Sequence, residues 1–440
     1  MGLRAKKEIM RYTLILGAGA STPFIGNCNH VITTETIIIA LTDFNRWNNL
    51  INQFTLAYTG GDTSYVFNID GREITDLIVN IKNNIENHFG YVTFDQIMHI
   101  LEPICIRFSN DIFGGEYENI NEEFVDLSKF SYTNTTSDGW MYVPYICREV
   151  ICSFINEVYS RRLNKKIYYI RMIRNWIIHN NKNDELQFYS FNYDNLLSDS
   201  IKKTNIDNCF VNKNFDVDKF WNTENTLCQL HGSVNGYLIG DEYIHENNAK
   251  VAQNIRIEKS NSRTVGEQIK IYEKGSVGKH YNTWLVTTLE KIETFAIFPF
   301  SVFFQKLSLD IFKSDCIIII GSSLGDVHIN SFIINSIKTQ KKKVVIVTKI
   351  DLNSFLDNFT DISINNENLL VGLIVKMGIT IKSRGNSIDQ AVREFNKRVF
   401  REYNKNKYFY LGSNVAVVPD GSKLFYRNKY LLKNIMSGFI

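Results

Sequence analysis

The stretch Tyr12 to Thr22, YTLILGAGAST, runs a short apolar strand straight into Gly17-Ala18-Gly19-Ala20-Ser21. A strand, a glycine turn and a helix start in that order can bring backbone N–H groups and a helix dipole against a phosphate. The stretch departs from the dehydrogenase fingerprint: Thr22 stands where a third glycine would be, and the nearest acidic residue for a ribose, Glu35, lies in a poorly defined region. Glycine turns of this kind also serve tight packing alone, so GAGAS by itself is weak. A P-loop is excluded elsewhere, because EKGSVGKH (273–280) lacks the first glycine and the final Ser or Thr.

Working outward, CIIIIG (316–321) and KVVIVTK (343–349) share the character of YTLIL. All three are short, β-branched and apolar throughout, as strands covered on both faces should be. LQFYSF (186–191), TLCQLHG (226–232) and ITIKS (379–383) are weaker strand candidates. Helical patterns lie between them. Thr93-Phe94-Asp95-Gln96 has capping-box spacing ahead of Ile97, Met98, Leu101 and Ile104, and Ser387-Ile388-Asp389-Gln390 repeats it ahead of Val392, Phe395 and Val399. Ile146, Val150, Ile151, Phe154, Ile155 and Val158 form a longer helical pattern.

Strands spaced by helices predict an α/β fold, a Rossmann-like doubly wound parallel sheet. Roughly 165 residues separate the first strand from the next good candidate, far beyond one crossover helix, so a large, mainly helical insertion lobe is expected over about 45–180. The polar residues 250–283 are expected to form a mobile flap. Residues 1–380 then make one catalytic domain, and 381–440 a C-terminal helix plus a basic tail in which Pro419-Asp420-Gly421 turns a hairpin. That tail reads as a contact surface for a partner protein or a sister subunit, with a plain surface hairpin as the alternative.

The chain of 440 residues is 44% hydrophobic and 22% charged, enough for one large core or two modest ones. A net charge of +3 is too small to argue for nucleic acid, although from Asn404 onward six lysines and arginines face Asp420 alone. Seven cysteines include no CxxC pair and several sit in apolar runs, which favours buried thiols in a reducing cytoplasm over disulfides or a zinc site. The N-terminal apolar piece is shorter than the roughly 7 to 15 residues of a signal peptide. No apolar run approaches the roughly 18 residues that would span a bilayer.

Three further stretches carry candidate chemistry. In FYSFNYDNLL (188–197), Asn192 and Asp194 follow a strand's carboxyl end, two residues apart and so on one side of an extended segment; an Asx-type turn is the alternative reading. In CQLHGSVNG (228–236), His231 ends an apolar strand, where a histidine is either structural or faces a cleft. In IIIIGSSLGDVHIN (317–330), Gly321, Ser322 and Ser323 offer donors at a strand end, and Asp326 can cap the helix that follows.

Taken in order, GAGAS, SFNYD, QLHG and GSSLGDVHIN resemble the sirtuin pattern: a GAG-x-S loop, an Asn-x-Asp pair, a His-Gly and a Gly-x-Ser-Leu around NAD. The departures are a missing set of four zinc-binding cysteines, the large insertion before Asn192, and SLGDVHIN in the fourth motif. With those departures the chain looks more like the sirtuin-like domains of bacterial anti-phage defence, which consume NAD without an acyl-lysine groove.

That resemblance implies NAD as substrate, no metal and no zinc ribbon. It implies that Asn192 positions water or the ribose hydroxyls, Asp194 holds the nicotinamide carboxamide side and His231 is the general base. Gly17, Ala18, Gly19, Ala20 and Ser21 would meet the diphosphate and ribose, with Gly321, Ser322, Ser323 and Asp326 on the neighbouring strand's loop. The implied activity is an NAD glycohydrolase. A deacylase or ADP-ribosyltransferase, and a non-catalytic NAD or ADP-ribose module, are the competing readings. Control by homo-oligomerisation or by a partner such as a HerA-like ATPase or an Argonaute is implied in the same way, with no membrane and with nucleic acid involved at most indirectly.

Overall fold

The computed structural model describes residues 9–21, 34–58, 70–110, 140, 143–160, 184–201, 204–212, 214–240, 242–246, 249–253, 256–259, 280–285, 298–322, 327–352 and 388–439. The chain opens with β1 (Arg11–Leu16) and a single turn, α1 (Ala18–Ser21). Five helices follow: α2 (Thr34–Leu41), α3 (Phe44–Tyr58), α4 (Gly71–Phe89), α5 (Phe94–Asn110) and α6 (Val143–Ser160). Next come β2 (Glu185–Ser190), α7 (Leu196–Ile201), β3 (Phe210–Val211), β4 (Asn214–Phe215), α8 (Val217–Asn222) and β5 (Thr226–Gln229). A β-rich stretch holds β6 (Gly232–Gly240), β7 (Glu242–Glu246), β8 (Ala249–Gln253), β9 (Arg256–Lys259) and β10 (His280–Leu285). The last elements are α9 (Phe300–Lys313), β11 (Cys316–Ile320), α10 (Val327–Gln340), β12 (Lys343–Val347), α11 (Ile388–Asn406), β13 (Phe409–Leu411), β14 (Val415–Val418), α12 (Ser422–Arg427) and α13 (Leu431–Gly438).

The main sheet has seven strands in the order β13-β14-β12-β11-β1-β2-β5, and all its pairings are parallel except β13 with β14. Counting only its parallel strands along the chain, that order is 3-2-1-4-5-6, the Rossmann arrangement, with its reversal between β1 and β11. The apolar runs follow directly. Ile15, Ile317, Ile319 and Ile346 enter the core on one face; Leu14, Leu16, Ile318, Ile320 and Val345 enter the core on the other. A strand with a core on each side favours apolar residues throughout, and the polar exception in β1, Thr13, is buried and hydrogen-bonded to Ser314.

The five helices between β1 and β2 build a core of their own around Trp47, Ile74, Leu77, Ile97, Leu101 and Ile146. The capping box forms: the Thr93 N–H donates to Gln96 Oε1 at 2.7 Å and the Gln96 N–H to Thr93 Oγ1 at 3.2 Å. Arg46 Nη2 reaches Glu157 Oε2 at 2.7 Å, and Arg148 pairs with Glu102, tying α3 and α5 to α6.

Two expectations read differently against the structure. The described part of 250–283 is not featureless: β8, β9 and β10 lie there, with β9 and β10 flanking β6 in a five-stranded sheet. Segments such as RIEK and HYNTWL alternate too irregularly for their strand character to be read locally. The hairpin expected at Pro419-Asp420-Gly421 forms one strand earlier, where Gly412 (φ 72°) joins β13 to β14; Gly421 (φ 76°) instead turns the chain into α12. The sheet needs β14 as a fully buried parallel strand beside β12, so the chain must leave it into a helix and cannot fold straight back. The strand candidate ITIKS and the capping Ser387 lie outside the described residues.

Candidate active site

Strand register sets the site. Leu16 pairs with both Ser190 and Ile320, and Ser190 pairs with Gln229, so β5, β2, β1 and β11 end level at their carboxyl edge. Gly17, Phe191, Leu230 and Gly321 therefore begin a common rim, and the described residues at the strand end of each of the four sequence motifs lie along it. Four adjacent strands span about 14 Å at their usual spacing, and the rim includes the point where the strand order reverses.

At that reversal the two glycine turns pack backbone to backbone. The Gly17 N–H donates to Ile320 O at 2.9 Å and the Gly19 N–H to Gly321 O at 2.8 Å, while the Ala20 N–H closes on Gly17 O at 2.9 Å. A Cβ on Gly17 would lie 2.6 Å from Gly321 O and from the Ser322 Cα. These glycines are therefore required by the contact between the loops, and their amides are spent inside the protein. Ala18 is exposed and Gly19, Gly321 and Ser322 half-buried at the mouth. Ser323 and Asp326 lie outside the described residues.

The side chains of Ser21, Asn192 and Asp194 meet directly. Asn192 Nδ2 donates to Ser21 Oγ at 2.9 Å, and Ser21 Oγ donates to Asp194 Oδ2 at 3.1 Å. Asp194 Oδ1 accepts the Leu196 N–H at 2.9 Å, so the Asx turn is also present and fixes this carboxylate at the start of α7. Asn192 is 9% exposed, and among the described residues its Oδ1 and second amide hydrogen have no protein partner. A buried amide with most of its hydrogen-bonding capacity unused fits a hydroxyl-bearing ligand.

His231 follows β5 and is buried. Its ring lies 4.8 Å from that of Phe191 and 6.4 Å from that of Tyr193, centroid to centroid. Gln229, absent from the sequence-based site, ties the two segments together by donating from Nε2 to Asp194 O at 3.0 Å. Tyr193 points away from Ser21 into the helical core, edge-on to Phe94 at 6.1 Å, and burial pushes its phenol well above the usual range. The tyrosine between the two polar residues thus pins the site to α5.

Behind the rim, Tyr189 donates to Asp310 Oδ2 at 2.5 Å, with Lys306 Nζ 3.5 Å from the same oxygen. Burial holds the Asp310 carboxyl above its ordinary range, and Lys306 and Tyr189 only partly counter this. The folded state therefore binds the proton more tightly than the unfolded chain. Asp310 contributes stability in full below its unfolded pKa of about 3.9, and that contribution is lost as pH rises through its higher folded value. The stability of wild type relative to Asp310→Asn is expected to fall as pH rises above about 4, measured by denaturant unfolding across pH.

Among the described residues no group of three His, Cys, Asp or Glu could hold a metal ion, and no helix is long and apolar enough to cross a membrane. The six described cysteines are all buried.

No family model matches the chain, and no curated protein does. Solved structures do match. A Sir2–p53 peptide–NAD+ structure is 13% identical with a TM-score of 0.29, over 84% of this chain and 94% of that one. A structure on the mechanism and regulation of Sir2 enzymes is 11% identical with a TM-score of 0.28, over 84% and 93%. One on sirtuin substrate affinity is 12% identical with a TM-score of 0.27, over 83% and 93%. At these TM-scores the fold rests on the strand order and register given above.

Proposed function

We propose that the chain binds NAD along the carboxyl edge of the sheet and hydrolyses its N-glycosidic bond, releasing nicotinamide and ADP-ribose. The reading rests on one observation: Asn192, buried and held by Ser21, has hydrogen-bonding capacity to spare at the end of β2, one strand from where the strand order reverses.

Nicotinamide leaves from a cationic glycoside, so its departure needs no proton donor. The site must instead hold the ribose, stabilise an oxocarbenium-like transition state and aim water at C1′. In this reading Asn192 binds the ribose hydroxyls or the water, and Asp194 orients Ser21 and Asn192. His231 takes the proton that water loses, a task suited to an imidazole near neutral pH. Ala18, Ser21 and Ser322 meet the diphosphate side.

Role in the cell follows as part of the same proposal: an NAD-depleting effector of anti-phage defence, kept off by assembly with its own copies or a partner protein. What supports that role is the set of departures from the deacylase pattern: no set of four zinc-binding cysteines, a large insertion before Asn192 and SLGDVHIN in the fourth motif.

Incubation with NAD followed by product chromatography tests the activity. Nicotinamide and ADP-ribose are expected in equal amounts without any peptide. Turnover that requires an acylated peptide would instead make the chain a deacylase, and tight NAD binding without products would make it a binding module.

A further inference from the structure

The short helix α12, which follows β14, reaches the site from behind. Ser422 Oγ donates to Gly19 O at 2.8 Å and Tyr426 Oη to Ala20 O at 3.0 Å. Four residues apart, the two side chains share one helix face and take two successive carbonyls of the glycine turn. Both are buried, Tyr426 at 1% exposure. On its other side the turn is held by Gly321 through the Gly19 N–H. The Ala20 carbonyl belongs to the peptide plane that carries the Ser21 N–H, and Ser21 Oγ is the atom joining Asn192 to Asp194.

We infer that Tyr426 and Ser422 are positioning residues for the NAD site: by fixing the Ala20 and Gly19 carbonyls they aim Ser21 at Asn192 and Asp194. The inference rests on the proposed NAD reading and adds a control point some 400 residues along the chain from the loop it sets. A merely structural tyrosine would be satisfied by any acceptor; here the acceptor is the residue before Ser21. The outer side of the same segment carries the exposed Lys423, Arg427 and Lys429.

The test uses the full chain with Tyr426→Phe, which keeps the buried ring and removes only the hydroxyl, and with Ser422→Ala and Ser422→Thr. At a temperature where each variant is fully folded, Tyr426→Phe and Ser422→Ala are expected to lower kcat/KM for NAD about 2- to 10-fold, the range for one lost hydrogen bond, and Ser422→Thr to restore it. Because the effect passes through Ser21, Tyr426→Phe is expected to change nothing further in a Ser21→Ala background. Amide hydrogen exchange of the segment 12–22 is expected to quicken in Tyr426→Phe, with or without NAD. Unchanged exchange overturns the inference, as does an effect of Tyr426→Phe that simply adds to that of Ser21→Ala. If wild type fails to turn over NAD, the functional reading falls while hydrogen exchange still decides whether Tyr426 sets the loop.

Discussion

Asn192→Ala and His231→Ala are each expected to lower NAD turnover by about 100-fold or more, as for loss of an orienting group or a general base. In the proposed reaction the asparagine would supply orientation. Its amide is anchored on Ser21, so the free oxygen and hydrogen are already aimed before ligand arrives, and no side-chain ordering remains at the moment of reaction. His231 is buried beside the rings of Phe191 and Tyr193. Its loss leaves the attacking water with no base of suitable pKa. Steady-state kinetics on folded variants check both. If both keep the wild-type rate, the site lies elsewhere.

Gly321→Ala is expected to destabilise the fold by about 2 to 5 kcal/mol, combining left-handed backbone strain with overpacking. Gly321 has φ 63°, and a Cβ there would lie 2.0 Å from the Ala20 N and 2.2 Å from the Gly19 C. Those are backbone atoms of a turn held on its far side by α12, so relief requires the two turns to part. Separation breaks the Gly19 N–H bond to Gly321 O and moves Ser21 away from Asn192, so NAD affinity falls with stability. Gly412→Ala is the control: its φ is 72° but nothing lies within 4 Å, so it meets strain alone, about 1 to 2 kcal/mol. Denaturant unfolding of the two variants compares them, and equal losses would mean that the turns are not in contact.

Both predictions depend on features read very differently from sequence. Asn192, Asp194 and His231 stand out locally, just past LQFYSF and TLCQL, runs that read from sequence only as weaker strand candidates. The glycines also stand out, but for the wrong atom: local reading assigns Gly17 and Gly19 to a phosphate, whereas their amides bond the loop at residues 320 and 321. Gln229 lies two residues before His231 in a stretch already singled out, yet nothing in CQLHG says that its amide turns back to residue 194.

What the sequence determined by itself is what consecutive residues can encode. Period-free apolar runs specify strands buried on two faces, and the capping box at Thr93 specifies where α5 begins; from the alternation of strands and helices the α/β class follows. The tertiary structure alone decided which strand ends lie level, why the glycines must be glycines, and that Ser422 and Tyr426 belong to a loop near residue 20. Such contacts join positions hundreds of residues apart, and their energy appears only once the sheet has closed and brought those backbones within reach of one another.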